Sequence, residues 1–169
     1  MDFVTRNVFV RAGMSHTESD DRFAIIPHRT RFYRKTNSGT VENADFLDSS
    51  YKTPGGGWLS SAEDMGRFEV AILNDRLLKR STRDLMLTPL KPGDGKPNGY
   101  ALGWGTFNDN GILYVAHSGG QQGTSTDFLI APEKSVGVVV LANMEEIPVN
   151  QLSREILRIL LAAGSDRER

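Results

Sequence analysis

Two short strings in the sequence hold residue types that could take part in nucleophilic chemistry: His-Ser-Gly-Gly at 117–120 and Ser-Ser-Tyr-Lys at 49–52. A serine alcohol is a poor nucleophile until a neighbouring group accepts its proton. In the first string, Gly119 and Gly120 would let a substrate approach the backbone closely. The spacing by itself favours a histidine that ends a strand with only a structural role, so a catalytic interpretation needs further support.

The second string does not meet the geometric requirement of a serine–lysine pair. The two side chains must share one helix face, one turn apart, for the amine to accept the hydroxyl proton. Pro54 and the glycines at 55–57 follow directly, and they prevent a helix from continuing there. We therefore expect Ser49-Ser-Tyr-Lys52 to be a chance match without a catalytic role.

Metal, thiol and phosphate chemistry find little support. The chain contains no cysteine, which excludes disulfide bonds, thiolate metal sites and a cysteine nucleophile. Its three histidines are scattered, and we expect His16 and His28 at the surface. The glycines between 119 and 123 are followed by neither a helix start nor a lysine, unlike those of a phosphate-binding loop. No metal and no cofactor is predicted.

Composition narrows the choice of partners but leaves the compartment open. The formal net charge is -1, which gives no electrostatic reason to bind nucleic acid or an anionic membrane. No apolar run approaches the ~20 residues that a membrane span needs. Residues 1–13 lack the basic-then-apolar order of a signal peptide, so any such signal is expected upstream. The localisation is therefore unknown from the sequence.

The second half of the chain has the pattern of an antiparallel sheet followed by a helix. Apolar residues repeat at helical spacing from about Pro148 to Ala163, and Gly164 is expected to end that helix. Turn residues at 108–111 and 132–135 separate the strands into hairpins. The last strand is nearly all apolar, which is typical of a central strand covered on both faces. The predicted strands are Tyr100–Phe107, Ile112–His117, Thr124–Ala131 and Val136–Ala142.

The first half has the pattern of loops and short helices. Apolar residues within 2–12 share a helical face that a glycine ends. Ser60 and Ser61 each stand three positions before an acidic residue, a capping pattern that predicts a helix. A similar serine–acid pair at 81 and 84 predicts a short helix ending near Pro89. The predicted inward residues are Phe3, Val4, Val8 and Ala12 in the first helix and Met65, Phe68 and Ile72 in the second.

These patterns together predict an α+β fold, with an antiparallel sheet and a C-terminal helix packed on one of its faces. We interpret 1–169 as a single partial domain. It comprises a loop- and helix-rich segment at 1–99, the strands and helix at 100–164, and a tail at 165–169 that is expected to fray.

Five stretches of the chain, taken in order, resemble segments of serine hydrolases of the β-lactamase and penicillin-binding-protein superfamily. Each stretch alone is weak, and the specificity comes from their order and from their spread over most of the chain. The likeness is nearest to the class C β-lactamase-related branch, which includes D-alanyl-D-alanine peptidases and carboxylesterases. The stretches are Asp2–Thr17, Pro54–Phe68, Tyr100–Gly105, His117–Gly123 and the hairpin formed by Phe128–Pro132 with Val136–Asn143.

The resemblance implies a partial β-lactamase/transpeptidase-like fold and an acyl-serine mechanism built from three motifs. These are a Ser-x-x-Lys at a helix start, a Tyr-x-Asn or Ser-x-Asn, and a Lys-Thr-Gly or His-Ser/Thr-Gly on an edge strand. His117, Ser118, Gly119 and Gly120 match the third motif, which changes the favoured interpretation of His117 to a residue of the substrate cleft. The strand would supply one amide to the oxyanion, and the nucleophile would supply the other.

The first two motifs have no match in a suitable place. No tyrosine is followed two positions later by asparagine. We therefore expect a C-terminal portion of a hydrolase that cleaves a small amide or ester, inactive alone because its Ser-x-x-Lys lies upstream. The alternative is a non-catalytic pseudo-hydrolase or assembly module that associates through a sheet edge.

The exposed sheet edge is expected at Val136–Ala142. In the family, an N-terminal helix and two strands complete the sheet beside the matching strand. An uncovered apolar edge is a template for pairing with other chains. We expect this edge to be covered by the missing N-terminal half, by a second copy of the chain, or by the segment Phe3–Val10.

Overall fold

A four-stranded antiparallel sheet, formed in order by residues 105–109, 112–121, 124–131 and 136–142, lies at the centre of the structure. Two two-stranded sheets pair 18–19 with 58–59 and 33–35 with 41–43. The computed structural model describes residues 2–53, 55–93 and 95–167. The helices are α1 (Asp2–Val4), α2 (Val10–Ala12), α3 (Ala62–Leu73), α4 (Arg80–Leu87) and α5 (Val149–Arg167), with a π-helical segment (Thr5–Phe9) between α1 and α2. The strands are β1 (Glu18–Ser19), β2 (Tyr33–Lys35), β3 (Val41–Asn43), β4 (Trp58–Leu59), β5 (Gly105–Asp109), β6 (Ile112–Gln121), β7 (Thr124–Ala131) and β8 (Val136–Ala142).

Tight turns set the order of the main sheet. β5 and β6 are joined by Asn110 and Gly111, whose φ angles of 50° and 80° are those of a two-residue turn that matches the twist of a hairpin. β7 and β8 are joined by a 3₁₀ turn, Pro132–Lys134, after which Ser135 has a φ of 53°. Both turns lie where the sequence predicts them, so neighbouring strands in the chain are also neighbours in the sheet.

The sheet is covered by helices on both faces. On one side, which we call the α3 face, Val115, Phe128 and Ile130 pack with residues of α3 and α4. On the other side, the α5 face, Leu129 and Val138 pack against α5. Alternation of side chains along each strand separates the two sets. The fold is α+β with a C-terminal helix packed on an antiparallel sheet, as the sequence predicts.

Two predicted strands need corrected bounds. Tyr100–Phe107 becomes a strand only at Gly105, because Ala101 donates its amide hydrogen to the carbonyl of Trp104 in a tight loop. β6 does not end at His117 but continues to Gln121, since its second half pairs with β7. β8 lies at an edge of the four-stranded sheet, where the exposed edge at Val136–Ala142 was expected, although its apolar run alone is typical of a central strand.

The helices also depart from the sequence pattern at their ends. α4 begins at Arg80, and its N-cap Lys79 makes no side-chain capping bond, so the predicted Ser81 cap is wrong. α5 continues through Gly164 to Arg167. A glycine inside a helix costs only about 1 kcal/mol relative to alanine, which is too little to end it there. Of the tail that we expected to fray, residues 168 and 169 lie outside the described residues.

The first helical stretch packs on α3 and does not pair with β8. Its π-helical segment turns the inward face so that Phe9 is buried while Phe3 is 73% exposed. The Phe9 ring meets Trp58 edge-on, with centroids 5.0 Å apart, and Ala12 packs with residues of α3. The expectation that Phe3–Val10 covers the last strand is therefore wrong, because this stretch is committed to α3.

Candidate functional site

Strand β6 extends beyond the end of β5, its neighbour on one side. β5 pairs with β6 only as far as the couple Gly105–Ala116. From His117 to Gln121, β6 pairs with β7 on one side, and no other strand of the described chain pairs with it on the other side. Backbone groups on that side are therefore free to bind a ligand. His117, Ser118, Gly119 and Gly120 all lie in this half-paired section, and all four are exposed.

The side chains of this section alternate between the two faces of the sheet. His117 lies opposite Phe128 in the ladder and shares the α3 face, whereas Ser118 lies opposite Asp127 and shares the α5 face. One bound molecule can therefore contact both side chains only along the strand edge, where the two faces meet. The geometry thus places the candidate site at the open edge of β6.

The two glycines differ in their surroundings. A Cβ on Gly119 would lie 2.8 Å from the Thr126 hydroxyl oxygen, and that hydroxyl donates to the Gly119 carbonyl at 3.3 Å. A Cβ on Gly120 would have its nearest neighbour at 3.9 Å. The sheet itself therefore restricts the first position to a small residue, while the absence of a side chain at the second keeps the surface open.

A second hairpin holds the far end of β6 in place. Gly123, in the turn between β6 and β7, has a φ of 74°, and a Cβ there would lie 2.2 Å from the Cβ of Phe32. Phe32 precedes β2 and accepts a hydrogen bond from the Ala44 amide after β3, at 2.9 Å. The β2–β3 hairpin therefore packs on the turn that ends the candidate site.

The loop at 49–57 also reaches the end of β6. The Lys52 ammonium donates to the side-chain oxygen of Gln121 at 3.3 Å. The Ser49 hydroxyl is buried and donates to the Asp20 carboxylate at 2.8 Å. Ser49 and Lys52 thus bind different partners in this structure, and the absence of a catalytic role for Ser49-Ser-Tyr-Lys52 stays a prediction. Sequence reasoning did not anticipate this contact between Lys52 and Gln121, and its only local signal was the glycine run at 55–57.

The start of α3 is fixed by a buried carboxylate. Ser61 caps the helix by accepting the Asp64 amide at 3.1 Å, as one of the two predicted capping pairs requires. The Asp64 carboxylate accepts from the His16 amide, the Thr17 hydroxyl and the Arg67 guanidinium. Burial acts to raise the pKa of Asp64, but these donors outweigh it and hold the pKa below its usual range. This carboxylate serves as a structural anchor between α3 and residues 16–17.

A second buried carboxylate lies against β8. Glu69 of α3 is 9% exposed, and no hydrogen bond or ion pair joins its side chain to any described residue. Burial raises the pKa of Glu69 to about 7. Its carboxylate lies above Gly137, where a Cβ would be only 2.5 Å from a carboxylate oxygen. Glu69 therefore lies at the β8 side of the sheet. Gly137 below it pairs with Ile130, which pairs with Val115 and not with the open section of β6.

The α5 face behind Ser118 holds a small cavity of about 240 Å³, lined among others by Asp127, Asn150 and Arg154. Asp127 is buried and accepts a short hydrogen bond from the Ser153 hydroxyl of α5. The Arg154 guanidinium lies 4.6 Å from the centre of the Phe107 ring. These contacts join α5 to the strands that carry the candidate site.

Within residues 2–53, 55–93 and 95–167, no three side chains of ligand type gather to form a metal site. No helix in the same ranges is long and apolar enough to cross a membrane.

The fold identifies the class of protein to which this chain is similar. The octameric penicillin-binding protein homologue from Pyrococcus abyssi matches this structure with a TM-score of 0.80 and 22% identity, over 95% of this chain and 37% of that chain. A likeness at this identity shows the fold alone, which is that of penicillin-binding proteins and β-lactamases. The sequence agrees, since the family model Beta-lactamase matches residues 1–163. The chain belongs to the Beta-lactamase family.

Two curated relatives show how much of a longer protein this chain matches. The mitochondrial serine beta-lactamase-like protein LACTB of Mus musculus is 26% identical over 206 aligned residues, covering 99% of this chain and 37% of that protein. Protein flp of Staphylococcus aureus is 32% identical over 164 residues, covering 92% of this chain and 32% of that protein. The chain thus spans about a third of the length of the curated relatives that it matches.

Proposed function

We propose that this chain forms the third-motif portion of a β-lactamase-related serine hydrolase, with the attacking serine supplied by polypeptide outside these residues. The reaction would be acyl transfer: the serine attacks a small amide or ester, and water then releases the acyl group. His117, Ser118, Gly119 and Gly120 would form one wall of the cleft. The family match and the family-like fold support the class of reaction, while the substrate and the roles of these residues are the proposal.

The observation that carries the proposal is the half-paired section of β6. The oxyanion that forms on the substrate needs backbone N–H donors. A backbone N–H can serve only if it does not already bond to a neighbouring strand. His117–Gln121 is a stretch of the main sheet with β7 on one side and no described strand on the other. The open edge can therefore offer an amide to a substrate while the strand stays fixed by β7.

The chain alone is expected to be inactive. Its one serine–lysine string is committed to other contacts, with Ser49 bound to Asp20 and Lys52 bound to Gln121. Ser118 has no base in hydrogen-bond contact among the described residues, since neither His117 nor a lysine bonds to it. A hydroxyl without a proton acceptor remains a weak nucleophile.

Acylation by a fluorescent penicillin tests this proposal. The purified chain should remain unlabelled, as judged by gel fluorescence and intact mass. The chain joined to the segment that precedes it in its parent protein should be labelled on a serine of that segment. Loss of this labelling in a His117→Ala variant would support the cleft-wall role. A labelled serine within the present chain, lost in Ser49→Ala or Ser118→Ala, would overturn the proposal.

A second candidate function is assembly through the edge of β8. This strand pairs only with β7 among the described strands, and six of its seven residues are apolar side chains from Val136 to Ala142. Such an edge pairs readily with another strand. The Pyrococcus abyssi homologue is octameric, and we propose that this chain joins either its N-terminal portion or a second copy here.

The size of the protein in solution distinguishes the two proposed occupants of the β8 edge. Light scattering coupled to size-exclusion chromatography should give a dimer or larger species if a second copy pairs with β8. A monomer that becomes a one-to-one complex on addition of the N-terminal portion would favour the first occupant. A chain that stays monomeric and does not bind the N-terminal portion would contradict both forms of this second proposal.

A further inference from the structure

The sequence contains two Asn-Gly pairs, Asn98-Gly99 and Asn110-Gly111, and their surroundings in the fold differ. We propose that Asn98-Gly99 is a site of spontaneous covalent modification, at which the asparagine is converted to aspartate and isoaspartate. The β5–β6 hairpin suppresses the same reaction at Asn110-Gly111. This chemistry is independent of the proposed function, since it needs neither a substrate nor a catalytic serine.

The reaction involves only the two residues of the pair and water. The backbone nitrogen of the glycine loses its proton and attacks the side-chain carbonyl carbon Cγ of the asparagine. The new N–Cγ bond closes a succinimide ring, and the Cγ–Nδ2 bond breaks to release ammonia, which takes up the proton. Water then opens the ring at Cγ to give aspartate, or at the backbone carbonyl carbon to give isoaspartate. Glycine favours ring closure because it has no side chain to hinder it.

At the first pair, the side chain of the asparagine already lies over the glycine that would attack it. Asn98 Oδ1 accepts the Tyr100 amide at 3.0 Å, so the side-chain carbonyl bridges Gly99 in an Asx turn. When the Gly99 nitrogen attacks Cγ, negative charge develops on Oδ1, and the Tyr100 N–H stabilises that charge. The hydrogen bond that shapes this turn therefore also activates the Asn98 carbonyl group.

The attacking nitrogen of the first pair is free to react. The Gly99 amide donates to no residue in the described part of the chain, whereas the Gly99 carbonyl accepts the Thr106 amide at 2.7 Å. The Asn98 amide donates to the Leu90 carbonyl at 3.2 Å, so the backbone on either side of the reacting peptide is held in place. Asn98 and Gly99 are both exposed, and solvent can therefore remove the amide proton.

At the second pair, both reacting groups are bound elsewhere. The Gly111 amide donates to Asn108 Oδ1 at 3.1 Å, and its proton is the one that the reaction must remove. Asn110 Nδ2 donates to the Asp109 carboxylate at 3.1 Å, and the negative charge of that carboxylate opposes ionisation of the nearby amide. Opening one such hydrogen bond slows a reaction by roughly fivefold. The hairpin therefore protects Asn110.

Modification at the first pair would alter the wall of the cavity behind Ser118. Gly99 lines that cavity. Isoaspartate adds a carbon atom to the backbone between residues 98 and 99 and leaves a carboxylate there. The hydrogen bond from the Thr106 amide to the Gly99 carbonyl cannot keep its geometry across the longer chain. We therefore expect the amide signals of Gly99 and Thr106 to change in the isoaspartate form.

Peptide mapping by mass spectrometry tests the inference with the chain as it stands. Chymotrypsin cleaves after aromatic residues, and so separates the two pairs at Trp104 and Phe107. During incubation at pH 8, the peptide with Asn98 should gain about 1 Da and divide into aspartate and isoaspartate forms on chromatography. It should do so roughly fivefold faster than the peptide with Asn110. Incubation at pH 5 should slow the reaction, because the attacking nitrogen must lose a proton.

Two comparisons attribute the difference in rate to the fold. Asn108→Ala removes the acceptor of the Gly111 amide, so it should raise the rate at Asn110 toward that at Asn98 and leave the rate at Asn98 unchanged. In concentrated urea the two pairs should react at similar rates, since neither keeps its hydrogen bonds. Asn98→Gln should abolish the first modification, because glutamine would have to close a larger ring.

Three results would overturn the inference. The first is a rate at Asn110 that equals or exceeds the rate at Asn98 in the folded chain. The second is a difference between the two pairs that persists in urea, because the flanking residues and not the fold would then cause it. The third is an Asn108→Ala variant in which Asn110 reacts as slowly as before, because the Gly111 hydrogen bond would then give no protection.

Discussion

The main sheet has two half-open borders, and their residues differ in kind. The section 117–121 of β6 carries two glycines, a histidine, a serine and a glutamine, all partly or fully exposed. β8 carries valine, leucine and alanine side chains, with Gly137 as its only glycine. A glycine-rich polar border lets a small molecule approach the backbone, whereas an apolar border is suited to another strand. This difference is the reason that we propose a ligand at the β6 border and another polypeptide at the β8 border.

The two borders also use glycine for opposite reasons, which gives the largest expected effect. Gly137→Ala places a Cβ 2.5 Å from the Glu69 carboxylate and 2.8 Å from the Leu129 carbonyl. Because the carbonyl belongs to the backbone of a central strand, this variant should lose about 2 to 3 kcal/mol of stability in urea unfolding. The matched variant Gly119→Ala meets only the movable Thr126 hydroxyl, so it should lose less than about 1 kcal/mol. Equal losses in the two variants would erase the contrast between the borders.

The carboxylate at the β8 border should make stability depend on pH. Burial raises the pKa of Glu69 from 4.5 to about 7, so the folded chain keeps a proton that the unfolded chain releases. The stabilisation is complete below pH 4.5 and is lost as the pH rises through 7. Between pH 5 and pH 8 the free energy of unfolding should fall by roughly 2 to 3 kcal/mol.

Urea unfolding of Glu69→Gln at the two pH values checks this. The variant should show little of the decrease, while Glu18→Gln, an exposed residue of β1, should show all of it. An unchanged pH dependence in Glu69→Gln would mean that another group is responsible.

The border formed by residues 117–121 of β6 is held in place from the α5 face. Ser153 is fully buried and donates to Asp127, which lies opposite Ser118 in the ladder. Ser153→Ala removes this donor and leaves the carboxylate with one partner fewer, so we expect a loss of about 1 to 2 kcal/mol in urea unfolding. Its amide signals should change along β7 and at Ser118 and not along β2. A loss below about 0.3 kcal/mol would show that α5 does not need this contact.

The smallest expected effect on stability concerns the outer surface of β8. Leu141 is 38% exposed at that border, so Leu141→Lys should change the free energy of unfolding by less than about 0.5 kcal/mol. The charge should nevertheless oppose strand pairing, and light scattering should show less self-association at equal protein concentration. The exposed Leu102, in the loop before β5, provides the control Leu102→Lys. If both variants reduce association equally, the effect is one of net charge and not of the β8 border.

Sequence reasoning was most successful where a local pattern decides the structure. The Asn110-Gly111 turn, the strands at 124–131 and 136–142, and the helix capped by Ser61 follow from turn chemistry, β-branched content and capping. Each depends on residues within a few positions of one another. The family assignment likewise followed from short segments in order.

The errors arose where distant parts of the chain compete with a local pattern. Tyr100–Trp104 has strand composition, but it folds into a loop closed by the Ala101–Trp104 hydrogen bond. Ser81 has a capping partner in Asp84, but α4 begins at Arg80 with Lys79 as its N-cap, two residues before the predicted cap. Lys52 was rejected with its serine as a chance match, and its contact with Gln121 spans 69 positions, which no local pattern can anticipate.

The sequence by itself determined the α+β class, the turn positions and the family, because these depend on side-chain periodicity and on residues close together in the chain. Only the tertiary structure decided that β6 extends beyond β5 and that His117 and Ser118 lie on opposite faces of the sheet. It also decided that the loop at 49–57 brings Lys52 into contact with Gln121. The physical reason is that edges, faces and cavities are properties of packed elements. A strand has an open side only with respect to the neighbours that the folded chain gives it.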